Sequence, residues 1–220
     1  LEDSTRTFIM NPLEFQPGEG YRYSNQGIDT VGRVIEIVSG MPYETFLQTR
    51  LFDPLGMKDT TFFPNQAQLA RLATSYGRDD QTKGLREIPI RYFKGAYDRA
   101  GRHPEPGGGL FSTGADLARF CQMLLNEGVQ NGKRYLSETS LTEIRSKQTG
   151  DAVRENYGLG FGVNPGDGSF GHGGAYATDM TIHPKQGVAL IWLVQLEGVD
   201  AGAVRGQFNG EALSKGSMAR

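Results

Sequence analysis

The order in which the hydrophobic period changes predicts an α+β fold, helices first and antiparallel strands after them. Three observations carry this. Apolar residues recur at three- and four-residue spacing in several stretches of the first two thirds of the chain. "YGLGFGVN", "YATDMTIH" and "VALIWLVQ" then read as strands, and "PKQG" at Pro184–Gly187 reads as the hairpin turn joining the last two. At 220 residues the chain is long enough to bury a sizeable core, and length alone fits a single domain or two interleaved lobes.

The elements follow in order. Gly27–Ser39 puts Ile28, Val31, Ile35 and Val38 on one helical face that reads as core, and Gly40 stops the helix. "PYETFLQTRLF" comes next, with Pro42 at the first helical position and Phe46, Leu47, Leu51 and Phe52 for burial. From Asp53 to Pro106 turn formers dominate, in "DPLGMKDTTFFP", "GRDDQTKG" and "GRHPEPGGG", with a short strand-like "REIPIRYF" among them; such a stretch suits the wall of a cleft. "STGADLARFCQMLLNEG" restores the helical period. Thr113 and Asp116 make a capping-box start, Leu117, Phe120, Cys121, Leu124 and Leu125 share a face, and Gly128 ends the helix. Another helix is predicted over Glu138–Lys147, and the polar, glycine-rich tail after Gln195 reads as weakly structured. The zones at about 15–150 (helical and irregular), about 155–195 (strands) and 196–220 (tail) form one partial domain.

Composition narrows the function. With 23 basic and 25 acidic residues the net charge is −2, so no electrostatic argument favours nucleic acid, an anionic membrane or an acidic partner, and a small neutral substrate or a modest anion fits better. The single cysteine, Cys121, forms no internal disulfide, no Cys/His cluster offers a metal site, and no cofactor is implied. No apolar run reaches the length of a membrane span. Nothing at the N-terminus resembles a signal peptide, yet the chain opens "LEDSTRTF" without Met, so the compartment stays open.

Two stretches carry candidate chemistry. In "YRYSN", Tyr23 and Asn25 both make and receive hydrogen bonds at a loop-to-helix junction. Alone, this pattern is better read as a loop tyrosine followed by a helix-capping Asn. Tyr21 is expected to point away from Tyr23, as packing or cleft lining. In "GSFGHGGAYATDMTIH", His172 precedes Gly173 and Gly174 at the lip of a strand that begins at about Tyr176, where glycine lets a ligand approach the backbone. The Ala175 N–H could then face a reacting carbonyl oxygen, with Gly173, Gly174 and Tyr176 as substrate-binding neighbours. Elsewhere the plain readings prevail. Ser169 in "DGSFG" is a noncatalytic turn serine and Gly107–Gly109 a tight entry to the Leu117 helix. His103 and His183 are solvent-facing turn residues, and Cys121 is an inert core thiol.

Read together, "PGEGYRYSN…GRVIEIVSGMPYETFLQTRLFDPLGM", "PGGGLFSTGADLARFCQMLL" and "GHGGAYATDM" resemble the serine β-lactamase-related family of class C β-lactamases, DD-peptidases and esterases, from about Phe15 to Gln195. The resemblance implies a β-lactamase/transpeptidase-like fold, an antiparallel sheet flanked by helices with a helical lobe alongside. The family's Tyr-x-Asn element matches Tyr23, Ser24 and Asn25; its Lys-Thr-Gly element matches His172, Gly173 and Gly174, with His in place of Lys as in many esterase-like members. By that match Tyr23 is the general base or its proton partner, Asn25 positions the substrate and the catalytic Lys, and Ala175 supplies an oxyanion N–H. The family's Ser-x-x-Lys nucleophile is not among these residues: the positions three before each lysine hold Leu55, Asp80, Arg91, Gln130, Ile144, Ile182 and Ala212. The chain is therefore expected to be the C-terminal portion of a longer enzyme and inactive alone, or else a degenerate relative, a pseudoenzyme or peptide-binding module. The implied partners are a small-molecule or peptide substrate, and the chain's own N-terminal segment or a second copy. The implied compartment is periplasmic or extracellular. Esters, D-amino-acid peptides and β-lactams all remain open as substrates.

Overall fold

The structure is a computed structural model and describes residues 1–90, 97 and 102–218. α1 (Glu2–Phe8) lies against α2 (Asn25–Ser39). The first turn of α2 is closed by Ser24, whose hydroxyl accepts the Gly27 N–H at 3.1 Å, so the N-cap is the serine and Asn25 is already helical. Gly40, at φ +67°, ends it in the left-handed conformation that glycine adopts at least cost. Pro42 caps α3 (Tyr43–Leu47) instead of opening it; a wider π turn (Gln48–Phe52) and α4 (Asp53–Leu55) follow, delivering Phe52, Leu55 and Met57 to the core.

The irregular stretch contains α5 (Gln66–Leu69), β1 (Tyr76–Arg78) and β2 (Leu85–Glu87). The predicted strand "REIPIRYF" is shorter than its pattern: only Arg86 and Glu87 join β2, Ile88 and Ile90 are buried beyond it, and residues 91–93 lie outside the described residues. α6 (Gly114–Leu125) buries Cys121, Met123 and Leu124. Its Thr113 hydroxyl accepts the Asp116 N–H at 3.3 Å, but the box is not reciprocal. The buried Asp116 carboxylate instead accepts the Asp59 N–H at 2.7 Å and the Thr60 hydroxyl at 3.0 Å, which pins the 59–60 turn to the helix. β3 (Val129–Gln130) and β4 (Lys133–Arg134) then form a hairpin over Asn131 and Gly132, both at positive φ, and α7 (Glu138–Arg145) follows.

Among the described residues the main sheet has the order β5 (Gly162–Val163), β6 (Phe170–Gly173), β7 (Asp179–His183), β8 (Val188–Trp192), antiparallel throughout. Its inner face sends Phe170 and Ile182 against Cys121, Leu124 and Leu141. The "PKQG" turn closes as expected, with Gln186 N–H on His183 O and Gly187 N–H on Pro184 O. His183 is corrected: it ends β7 and is 7% exposed. The tail is corrected too. β9 (Leu196–Glu197) runs parallel to β1, and α8 (Gly202–Met218) folds back on β8, where the Trp192 and Phe208 rings lie 5.5 Å apart.

α2 departs most from its sequence pattern. Its apolar side is uncovered: Val31 and Val34 are each 51% exposed and Val38 is 82% exposed, and Gly32 is the residue it buries. Among the described residues no helix is long and apolar enough to cross a membrane.

Candidate active site

Tyr23 arrives on the extended segment before α2, while His172 sits within β6 and not, as expected, before a strand; the next strand begins at Asp179. Among the described residues β5 reaches only Phe170 and Gly171 of β6, so His172 and Gly173 have β7 on one side and, among those residues, an open edge on the other. There the Tyr23 and His172 rings lie 5.8 Å apart at a tilt of 35°. Tyr23 is 54% exposed. The His172 ring is held by its own strand, Nδ1 being 2.5 Å from the Gly173 carbonyl. A carbonyl only accepts, so Nδ1 carries a proton, and in the neutral ring Nε2 keeps a free lone pair.

Sequence reasoning missed Tyr157. Its ring makes edge contacts with Tyr23 at 6.5 Å and His172 at 6.1 Å, and a tilted contact with Tyr21 at 5.4 Å. Burial, reinforced by the neighbouring Tyr21 and Tyr23, pushes its phenol up to about 12. Read from sequence as part of a strand, Tyr157 instead bridges to Gly162 just before β5. The expectation for Tyr21 is corrected as well: side chains two apart on an extended chain project to the same side, and Tyr21 and Tyr23 meet the same ring. Burial raises the Tyr21 phenol too.

After β6 the chain turns tightly. Gly174 N–H donates to Thr178 O at 2.8 Å and Ala177 N–H to Gly174 O at 3.0 Å. A Cβ on Gly174 would lie 2.2 Å from the Thr178 hydroxyl, and one on Gly171 would lie 2.2 Å from Met180 O, so both positions require glycine. Ala175 is exposed in this turn, and among the described residues its N–H makes no hydrogen bond. Tyr176 differs from its expected role: its ring is 8% exposed, packed with Ile88 and Ile90, and its carbonyl accepts the Leu196 N–H, so it supports the turn from beneath.

Asn25 stands exposed at the start of α2, and its amide makes no hydrogen bond among the described residues. Against it lies the Gly107–Gly109 run. That run was expected to give entry to α6, but Gly107 instead meets α2, its N–H donating to Asp29 Oδ1 at 2.9 Å. Ser169 behaves as the turn serine expected, its N–H held by Asp167 at 2.8 Å. His103 is exposed and Cys121 is buried, where desolvation pushes the thiol up to about 12. No group of His, Cys, Asp and Glu among the described residues could hold a metal ion. The arrangement thus offers a phenol and an imidazole side by side, a free amide N–H on the same strand-turn, and an open strand edge.

The chain resembles known proteins over nearly its whole length. The family model described as Beta-lactamase matches residues 2–213. An uncharacterized protein of Mycobacterium tuberculosis (strain CDC 1551 / Oshkosh) is 30% identical over 210 residues, 84% of this chain and 51% of that protein. Lovastatin esterase of Penicillium rubens is 39% identical over 121 residues, 54% of this chain and 29% of the esterase. Among solved structures, simvastatin synthase (LovD) of Aspergillus terreus superposes with a TM-score of 0.72 at 23% identity, over 89% of this chain and 56% of that one, a likeness of fold. The chain spans about half the length of the first of these relatives. Because the family match takes in both "YRYSN" and "GHGGAY", the chain belongs to the Beta-lactamase family.

Proposed function

We propose that these residues form the Tyr23/His172 part of a serine hydrolase working through an acyl-enzyme, with the Ser-x-x-Lys pair supplied by a segment outside them. The observation that carries the reading is the contact of Tyr23 with His172 beside the free Ala175 N–H. In the proposed reaction a serine oxygen bonds to the substrate carbonyl carbon, and its proton passes to Tyr23 with the help of the lysine. The Ala175 N–H stabilises the oxyanion, the leaving alkoxide takes the proton back as the C–O bond breaks, and water repeats the sequence to release the acid. An ordinary phenol ionises near pH 10, so a tyrosine base at neutrality needs a neighbouring cation; the lysine is that cation.

The substrate class proposed is neutral esters. Where family members recognise a substrate carboxylate the third motif begins with lysine, a permanent cation. A histidine in its place carries no permanent charge and attracts a carboxylate more weakly. The name of lovastatin esterase is in keeping with this. In the full-length enzyme, Tyr23→Phe should lower kcat/KM for a short-chain nitrophenyl ester by about 100-fold or more, the range of a lost general base, while the fold is retained. Activity within twofold of wild type rejects the role given to Tyr23. His172→Lys should shift the ratio of kcat/KM toward a chromogenic cephalosporin; an unchanged ratio removes His172 as the selectivity determinant.

A further inference from the structure

We infer that Asp29 and Gly107 are positioning residues, the loop at Pro106–Gly109 being a template clamped to the first turns of α2 that fixes the Asn25 side chain for catalysis. The inference rests on the reading of Asn25 as a substrate-orienting group. Three contacts build the clamp. The Gly107 N–H donates to Asp29 Oδ1 at 2.9 Å. A Cβ on Gly107 would stand 3.0 Å from Asn25 Cβ and 3.2 Å from its Cγ, so the bare backbone rests against the asparagine itself. One turn on, a Cβ on the buried Gly32 would stand 2.4 Å from Pro106 Cγ, so the proline seats directly on the helix.

The loop is stiff in its own right. Glu105 O accepts the N–H groups of both Gly108 and Gly109, at 3.1 and 2.8 Å, and the proline ring limits the backbone before Gly107. Asp29 and the neighbouring Tyr43 are both half-buried, and the Tyr43 phenol is raised by burial and by the Asp29 charge. The clamp matters because the Asn25 amide has no hydrogen bond of its own among the described residues, so contact with Gly107 is what restricts its rotamer. A displacement of about 1 Å in such a group can cost as much as 100-fold in rate.

The three glycines differ in what they face, which makes the inference testable. A Cβ at Gly108 would meet nothing within 4 Å, whereas one at Gly107 would push Asn25 by a few tenths of an ångström. Kinetics and melting temperatures of Asp29→Ala, Asp29→Asn, Gly107→Ala, Gly108→Ala and Tyr23→Phe would be compared in the full-length enzyme with a nitrophenyl ester. Asp29→Ala and Gly107→Ala should each lower kcat about tenfold or more with KM within about threefold. Asp29→Asn, which keeps an oxygen acceptor, should stay within about threefold of wild type, and Gly108→Ala should match wild type. The Asn25 side-chain amide resonance should move in Gly107→Ala and stay in Gly108→Ala. The clamp is overturned if Gly107→Ala has wild-type kcat, if Gly108→Ala loses as much, or if Asp29→Asn is as slow as Asp29→Ala. Should Gly107→Ala not fold, the Asp29 pair decides alone. A fully active Tyr23→Phe would overturn the functional reading; an inactive one beside a fully active Gly107→Ala overturns only the clamp.

Discussion

A single ring, Tyr157, touches Tyr21, Tyr23 and His172, and its loss should cost more than the loss of its hydroxyl. If the proposed function holds, Tyr157→Phe in the full-length protein keeps the ring contacts and should leave kcat within about threefold, whereas Tyr157→Ala frees Tyr23 and His172 and should lower it about tenfold or more. The hydroxyl shows itself in alkali. Its pKa is raised to about 12 against about 10 for a free phenol, so between those values the folded chain binds more protons than the unfolded one. The stability is therefore complete below about pH 10 and is lost as pH rises through about 12. Tyr157→Phe should flatten the alkaline limb of a stability-pH curve, leaving the same-signed slopes of Tyr21, Tyr43 and Cys121; an unchanged limb removes the burial account. Tyr23 and His172 were legible in sequence because two motifs recur at recognisable places. Tyr157 was not, because a tyrosine opening "YGLGFGVN" looks like any strand residue, and only the chain's path brings it to Tyr23.

At the scale of elements, α2 and α6 share a pattern and differ in fate. Both have a one-sided apolar stripe, but Leu124 of α6 is 2% exposed and Val38 of α2 is 82% exposed. In this chain Leu124→Ala should lower stability by about 2–5 kcal/mol, while Val38→Gln should stay within about 0.5 kcal/mol. We expect the segment outside these residues to lie on that exposed stripe in the full-length protein, so Val38→Gln should cost markedly more there; equal costs in both chains would show the face is bare in each. Periodicity revealed that α2 has an apolar side and could not say what lies on it. α8 escaped detection for another reason: Gly202, Gly206 and Gly210 weaken helix propensity, and the helix is held by tertiary contacts, Trp192 with Phe208 and Asp179 with Arg205 at 3.1 Å. The β3–β4 hairpin is the converse, an Asn-Gly turn signal plainly written in "QNGK".

At the scale of the whole molecule the uncovered α2 face and the open β6 edge are liabilities for a chain on its own. The 220-residue chain, purified alone, should self-associate in light scattering, and Ile37→Lys with Val38→Lys should reduce that association; a monodisperse monomer with a cooperative melt contradicts the fragment reading. The central claim is that the Tyr23–His172 edge completes a nucleophile carried outside these residues. Its most direct test is peptide mapping of the full-length protein after reaction with an activated phosphonate ester, which traps an attacking serine covalently. The account predicts one adduct, on the serine of a Ser-x-x-Lys sequence outside residues 1–220, formed far more slowly in Tyr23→Phe, and no adduct on the 220-residue chain alone. An adduct on Ser169 or any other serine of this chain, or no adduct at all on the full-length protein, would contradict it.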